Sequence, residues 1–201
     1  MTTAVSDTWV AEAGRGDSRR PAWRGVNHLA LITPDMDATV RFYHGVLGMR
    51  LVATLMAGPM RHYFFEIGPG NTVAFFEWKG VSTFAKPAGW RVDTALQFDH
   101  LSFNLSDHES LMALGARLKE AGVEVTEEVD HGFIHSIYFT DNNGIALEAS
   151  YWLSDATARD DDDHAAFNDP DPVAAVREIH EDGRVKSYAR TKLVEKPTGI
   201  S

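Results

Sequence analysis

"DHLSFNLSD", residues 99–107, repeats the layout of "NHLALITPD", residues 27–35. Each stretch opens on an Asp-His or Asn-His pair, runs through alternating residues and closes on an aspartate turn. Side chains alternate faces along a strand. In the first copy His28, Ala30 and Ile32 share one face and Leu29 and Leu31 the other; in the second His100, Ser102 and Asn104 oppose Leu101, Phe103 and Leu105. The residues downstream of each stretch repeat as well. Helices are predicted over 35–47 and 107–121, each starting at an aspartate able to cap an N-terminus and ending near Gly48 or Gly122. Three strand-like runs come after each: "RLVATLM", "HYFFEI" and "TVAFFEW", then "VEVTEEV", "HSIYFT" and "IALEAS". An internal repeat of this kind fixes the architecture before any single element does. The prediction is an α+β fold: two tandem βαβββ modules, about 24–80 and 97–153, forming one domain over 24–153 whose polar strand faces make an open, metal-binding β-cup.

The flanks differ in composition. Residues 1–23 are polar and are expected to form a flexible arm without the apolar core of a secretory signal. Residues 154–201 form an acidic extension. Seven aspartates and one arginine lie between Asp155 and Asp171, and the following "DPVAAVREIHEDG" reads as a short helix with a glycine stop. The chain has 201 residues, a net charge of −10 and no cysteine. Thiolate metal sites, disulfides and cysteine nucleophiles are therefore excluded. No basic patch suggests nucleic acid, and no apolar run is long enough for a membrane span. A soluble cytoplasmic protein is expected.

Chemistry concentrates on the polar faces. In "IALEAS", Glu148 shares a face with Ala146 and Ser150 in the middle of an apolar run. A carboxylate there is costly unless something compensates it. Two histidines at matching places in the repeat, His28 and His100, supply the partners: imidazole and carboxylate suit Fe(II), Mn(II), Ni(II), Zn(II) or Co(II), and three protein ligands leave positions open for substrate and dioxygen. A lone strand histidine is more often structural; its repetition shifts the balance toward a metal site.

The segments "NHLAL", "FYHGVLGMRL", "DHLSFNL", "LKEAGVEV" and "IYFTDNNGIALE" resemble the vicinal oxygen chelate superfamily, which includes glyoxalase I, bleomycin- and fosfomycin-resistance proteins and type I extradiol dioxygenases. By that resemblance His28, His100 and Glu148 fall on metal-ligand positions, and members often form homodimers. The stretch from Val129 to Glu148 is similar to the extradiol-dioxygenase signature, with Asn142 where proline is usual. The similarity gives His131 and Tyr138 catalytic roles beside the metal-bound substrate.

Two further positions test which branch the chain follows. Extradiol enzymes commonly carry an acid–base histidine just before the strand that here reads "TVAFFEW", where this chain has Asn71. An amide does not exchange protons at neutral pH, so Asn71 is at most a substrate contact and His62, His131 or His135 would have to serve. Glyoxalase-like members add a fourth ligand on the same strand. Overlaying "IALE" on the first copy puts Phe75 opposite Glu148, with Glu77 two residues further on the same face. Phe75 and His62 are therefore predicted to line the substrate pocket. The expected function is an Fe(II)-dependent dioxygenase cleaving a catecholic or related aromatic substrate. The alternatives are a redox-neutral lyase, isomerase or antibiotic-modifying enzyme on Mn, Ni, Zn or Co, and a small-molecule binding protein. Parity places His135 with Ile137 and Phe139, away from Tyr138.

Overall fold

A computed structural model describes residues 24–93, 98–155, 169–187 and 189–193. The expected arm at 1–23 and most of the acidic run, 156–168, lie outside the described residues. The chain divides into two compact units, one of residues 23–166 and one joining 1–22 to 167–201.

In the larger unit the first module is β1 (His28–Thr33), α1 (Met36–Val40) continuing into a π-helical turn (Arg41–Val46), β2 (Leu51–Ala57), β3 (Met60–Gly68) and β4 (Asn71–Glu77). The second is β5 (Leu101–Asn104), α2 (His108–Glu120), β6 (Val129–Asp130), β7 (Ile134–Thr140) and β8 (Ala146–Trp152). Each makes a four-stranded mixed sheet, ordered β1-β4-β3-β2 and β5-β8-β7-β6. In both, the first strand runs parallel to the last and the other neighbours are antiparallel. The βαβββ repeat is therefore present. Two segments differ from expectation. "VEVTEEV" pairs only through an isolated bridge, Val125 to Phe139, and the short β6. The first helix winds as a π-turn after one α-turn, with the Leu47 N–H on the Phe42 carbonyl at 2.9 Å. The wider turn lets the adjacent Phe42 and Tyr43 both point inward.

The helix starts follow from sequence. Asp35 Oδ1 accepts from the Ala38 N–H at 3.0 Å, and Asp107 Oδ1 from Ser110 at 2.8 Å, each satisfying a donor that a helix N-terminus otherwise leaves free.

The greasy faces of both sheets and the helices share one core. Phe65, Val73 and Phe75 of the first sheet join Phe103, Ile137, Phe139 and Leu147 of the second, with Tyr43, Leu111 and Leu118 from the helical segments. Polar clips tie the modules together: Tyr43 Oη donates to Asp141 Oδ2 (3.1 Å), Thr33 Oγ1 to Asn143 Oδ1 (2.8 Å), and Arg117 reaches the Gly45 carbonyl (2.8 Å). Both apolar faces turn toward this core, and each sheet carries its polar residues on the other face.

In the second unit α3 (Ala174–Asp182) ends at Gly183, whose φ of 68° is the left-handed conformation of a helix C-cap and whose N–H bonds the Ile179 carbonyl. The glycine stop predicted after "REIHED" is thus where the helix ends.

Candidate metal centre and substrate face

The second sheet carries a continuous hydrogen-bonded row on its outer face. Strand register sets it: Ser102 pairs with Glu148, and Glu148 with Tyr138. Glu148 is 4% exposed. Its Oε2 lies 2.8 Å from His100 Nε2 and its Oε1 accepts from Tyr138 Oη at 3.0 Å. Tyr138 spends its only proton on Glu148, so His131 Nε2, 2.9 Å from the same hydroxyl, must carry a hydrogen and donate it. Burial pushes Glu148 toward protonation, but the surrounding polar groups of Ser136, Tyr138, Ser102 and His100 outweigh it and hold the carboxyl below its ordinary range. Burial and then the Glu148 carboxylate push the Tyr138 phenol up to about 12. A buried carboxylate kept ionised beside an imidazole is a donor set that suits a divalent cation.

Behind His100 stands Asp99. Its Oδ2 is 2.6 Å from His100 Nδ1 and accepts from the Gly89 N–H at 2.7 Å, while its Oδ1 pairs with the Lys86 ammonium. Lys86, then His100 and the Gly89 amide, hold Asp99 far below the usual aspartate range. The segment around Pro87–Trp90 and this outer face border an open cleft of about 660 Å³ lined by Trp90, His100, Thr126, His131 and Tyr138. A cleft of this size admits a small molecule.

The first sheet carries the other half of the expected constellation. His28 is exposed on its outer face, its Nδ1 2.8 Å from Asn27 Oδ1. Around it stand Phe64, with ring centroid 5.6 Å away, and His62, at 6.3 Å. His62 stacks on Phe76 at 3.6 Å and 12°. Its Nε2 is buried without a hydrogen bond, and burial, then the nearby His28, lowers its pKa. The result is an aromatic wall with one unsatisfied imidazole nitrogen.

Three sequence expectations need correction, and the open question of Glu77 closes. His28 does not stand with His100 and Glu148 within one chain: among the described residues no group of three ligating side chains could hold a metal ion. Phe75 does not line a pocket. It pairs with Leu31, is fully buried and packs 4.8 Å from the Tyr43 ring. Register shows why: Ala30 pairs with Ala74 just as Ser102 pairs with Glu148, so Ala74 is the true counterpart of Glu148 and Phe76 faces outward. Asn71 is a structural residue. Its Oδ1 accepts from the Val26 N–H at 2.7 Å and its amide donates to the Pro69 carbonyl, closing the turn before β4. Glu77, on the core-facing side, accepts from the Met36 N–H at 3.1 Å and pairs with Arg61. It caps α1 and is no fourth ligand.

His135 sits with its ring 5.5 Å from Tyr151 and its Nδ1 2.5 Å from Glu128 Oε1, away from Tyr138. Lys86, Asp99 and Trp90 went unrecognised in the sequence, and Phe64 and Phe76 read there as core-packing aromatics. Asp99 had a visible signal, since it precedes the repeated histidine just as Asn27 does. Lys86 had none, because a single lysine in a linker carries no pattern.

Residues 25–149 match the Glyoxalase/Bleomycin resistance protein/Dioxygenase superfamily. Among solved structures, the glyoxylase/bleomycin resistance protein/dioxygenase domain from Frankia sp. EAN1pec is 26% identical, covering 65% of this chain and 99% of its own with a TM-score of 0.56. The antibiotic binding protein TnmS3 from Streptomyces sp. CB03234 is 18% identical, covering 66% of this chain and 99% of its own at a TM-score of 0.50. With the repeat, the two mixed sheets and a family match over more than half its length, the chain belongs to the glyoxalase/bleomycin resistance protein/dioxygenase superfamily.

Proposed function

We propose that the protein is a divalent-metal enzyme working as a homodimer, each site taking His28 from one copy and His100 and Glu148 from the other. Its substrate class is a small aromatic molecule with adjacent oxygens, and its favoured chemistry is Fe(II)-dependent, extradiol-type cleavage by dioxygen. The observation that carries the metal reading is Glu148, almost fully buried yet held ionised against His100. A second copy would supply the third donor, His28, which stands exposed on the outer face of the first sheet. Leu55, 52% exposed on the same face as His28 and His62, adds apolar surface for a partner to cover.

Bound Fe(II) would supply the Lewis acidity that lowers the pKa of a chelated hydroxyl and an open position for dioxygen. The chain's own groups do the rest. His100 and Glu148 would hold the ion in place of their mutual contact. Tyr138 then turns its proton from Glu148 to a substrate oxygen, and the His131 N–H keeps the phenol oriented. His62, Phe64 and Phe76 present flat surfaces to an aromatic ring. The Tyr138–His131 pair favours the dioxygenase reading, since Tyr138 donates to the proposed ligand carboxylate and His131 holds Tyr138.

One observation favours a redox-neutral lyase, isomerase or antibiotic-modifying enzyme on Mn, Ni, Zn or Co. Asn71, where ring-cleaving relatives are expected to have a proton-transferring histidine, cannot titrate and is committed to the backbone at Val26 and Pro69. Anaerobic Fe(II) loading followed by oxygen uptake over catechols and hydroquinones separates the two. Uptake with ring cleavage supports the dioxygenase. Stoichiometric Ni or Zn without uptake replaces it with the redox-neutral enzyme. A wild-type chain that holds no metal overturns both in favour of ligand binding, the property for which TnmS3 is named.

Site assembly is tested separately by mixing. His28→Ala and His100→Ala homodimers each lack a ligand in every site, but a mixed dimer contains one complete site, so unfolding and refolding the two together should restore about a quarter of wild-type metal sites. No restoration overturns assembly across copies.

A further inference from the structure

The two repeated histidines are backed differently. His28 Nδ1 meets a neutral amide oxygen, that of Asn27. His100 Nδ1 meets the Asp99 carboxylate, which three donors hold: the His100 imidazole, the Gly89 backbone N–H and the Lys86 ammonium. The Lys86 side chain is only 5% exposed and its remaining contact is the neighbouring Pro87 carbonyl at 3.0 Å. Burying an ammonium is unfavourable unless it is paired and hydrogen-bonded. A surface linker has no need of a buried lysine, since its other residues can face water. Here the linker between β4 and β5 drives one inward, onto the carboxylate that touches His100 Nδ1.

We propose that Lys86 is a positioning residue for the metal centre: acting through Asp99, it fixes the His100 imidazole with Nδ1 committed to the carboxylate and Nε2 turned toward Glu148. This rests on the reading of His100 and Glu148 as metal ligands. A ligating histidine that donates its other N–H to a carboxylate gains a fixed ring orientation and greater basicity. Asp99 is otherwise 46% exposed and free to rotate toward water. Lys86 from one side and the Gly89 N–H from the other hold both of its oxygens. The linker thereby sets the geometry of a ligand on the second sheet, and the first module, whose His28 has only Asn27 behind it, contributes the less constrained donor.

The test is a double-mutant cycle on Co(II) affinity, measured by competition with a chromophoric chelator on the full chain. Asp99→Asn should weaken Co(II) binding ten- to a hundredfold, and Lys86→Met about tenfold. The decisive value is the effect of Lys86→Met in the Asp99→Asn background. If Lys86 acts through Asp99, the second substitution adds less than about a twofold loss, because the group it works through has lost its charge. A full additional tenfold loss means that Lys86 acts only on general stability and overturns the proposal. So does Co(II) binding by Lys86→Met equal to wild type. Should Lys86→Met fail to fold by near-ultraviolet circular dichroism, Lys86→Gln, which keeps length and a donor without the charge, takes its place in the same cycle. Failure of the wild type to bind Co(II) would instead sink the metal reading itself, so the two outcomes stay distinct.

Discussion

At the scale of single residues, the outer face of the second sheet is a row of groups each determined by the next. Glu148 remains a carboxylate because its neighbours donate to it. Tyr138 stays protonated far above neutral pH because burial and Glu148 oppose the phenolate. A phenol that keeps its proton is a hydrogen-bond donor throughout the neutral range and not a base. Tyr138→Phe should therefore lower kcat by about 10²-fold with little change in the pH profile, measured as oxygen uptake or turnover from pH 6 to 9. A large displacement of the alkaline limb would show that the phenol is titrating in the reaction. The partners of Glu148 were partly legible in the sequence, because Tyr138, Glu148 and His100 sit at positions whose parity is unambiguous. His100→Ala should abolish stoichiometric metal, checked by elemental analysis of the purified protein; retained metal would remove it from the ligand set.

At the scale of elements, sequence patterning succeeded where strands alternate and failed where they do not. "IALEAS" separates a greasy face from a polar one, and the structure keeps that division. "TVAFFEW" is apolar at nearly every position, so periodicity cannot say which face Phe75 takes, and an overlay anchored on the wrong residue moves every side chain across the sheet. The core claimed Phe75 and the outer face received Phe76. Glu77 shows the same element in another role. Its carboxylate is held below the ordinary glutamate range first by the Met36 N–H and then by Arg61, against the opposing pull of burial. The folded state thus binds a proton there less readily than the unfolded chain. The stabilisation is fully present above the ordinary glutamate range and is lost as pH falls through the lowered value. Glu77→Gln should cost about 1 kcal/mol at neutral pH, comparable with losing a helix cap, and should flatten the acid limb of a urea-midpoint-against-pH curve; an unchanged limb would refute the capping role. The β7–β8 turn imposes a different constraint. Gly144 has φ +86°, and a Cβ there would lie 2.9 Å from the Phe84 carbonyl oxygen. Gly144→Ala should destabilise by about 1–2 kcal/mol from the backbone conformation alone, read as a lower urea midpoint, with further loss if the linker is displaced.

At the scale of the whole molecule, the repeat revealed that two modules exist, but it could not say which modules share a cup. That choice depends on which faces pack together, and the alternation within a strand is the same in either arrangement. The structure packs the greasy faces of both sheets into one core, with His28 on the outer face of one sheet and His100 with Glu148 on that of the other. If each metal site spans two copies, metal binding and association are thermodynamically linked. Apparent Co(II) affinity should weaken on dilution through the dimer dissociation range, and added metal should raise the dimer fraction in sedimentation velocity. Concentration-independent affinity would point to a site within one copy.

The turn that clips the modules together also sets how the protein ages. Asn143 precedes Gly144, the pairing in which a backbone nitrogen most readily attacks the preceding side-chain amide to give aspartate and isoaspartate. In the native fold that nitrogen donates to the Asp141 carbonyl at 3.2 Å, and Asn143, 4% exposed, keeps its amide on Asp141 and accepts from Thr33. The folded state thus shields a bond that the unfolded chain leaves open. Deamidation would set a new negative charge beside Asp141 and break the clip between modules, so heat-aged protein should carry the modification in its unfolded fraction. Peptide mapping by mass spectrometry, before and after repeated thermal cycling, reads this directly. The same fold that secures Asn143 makes each unfolding event a chance for permanent chemical damage.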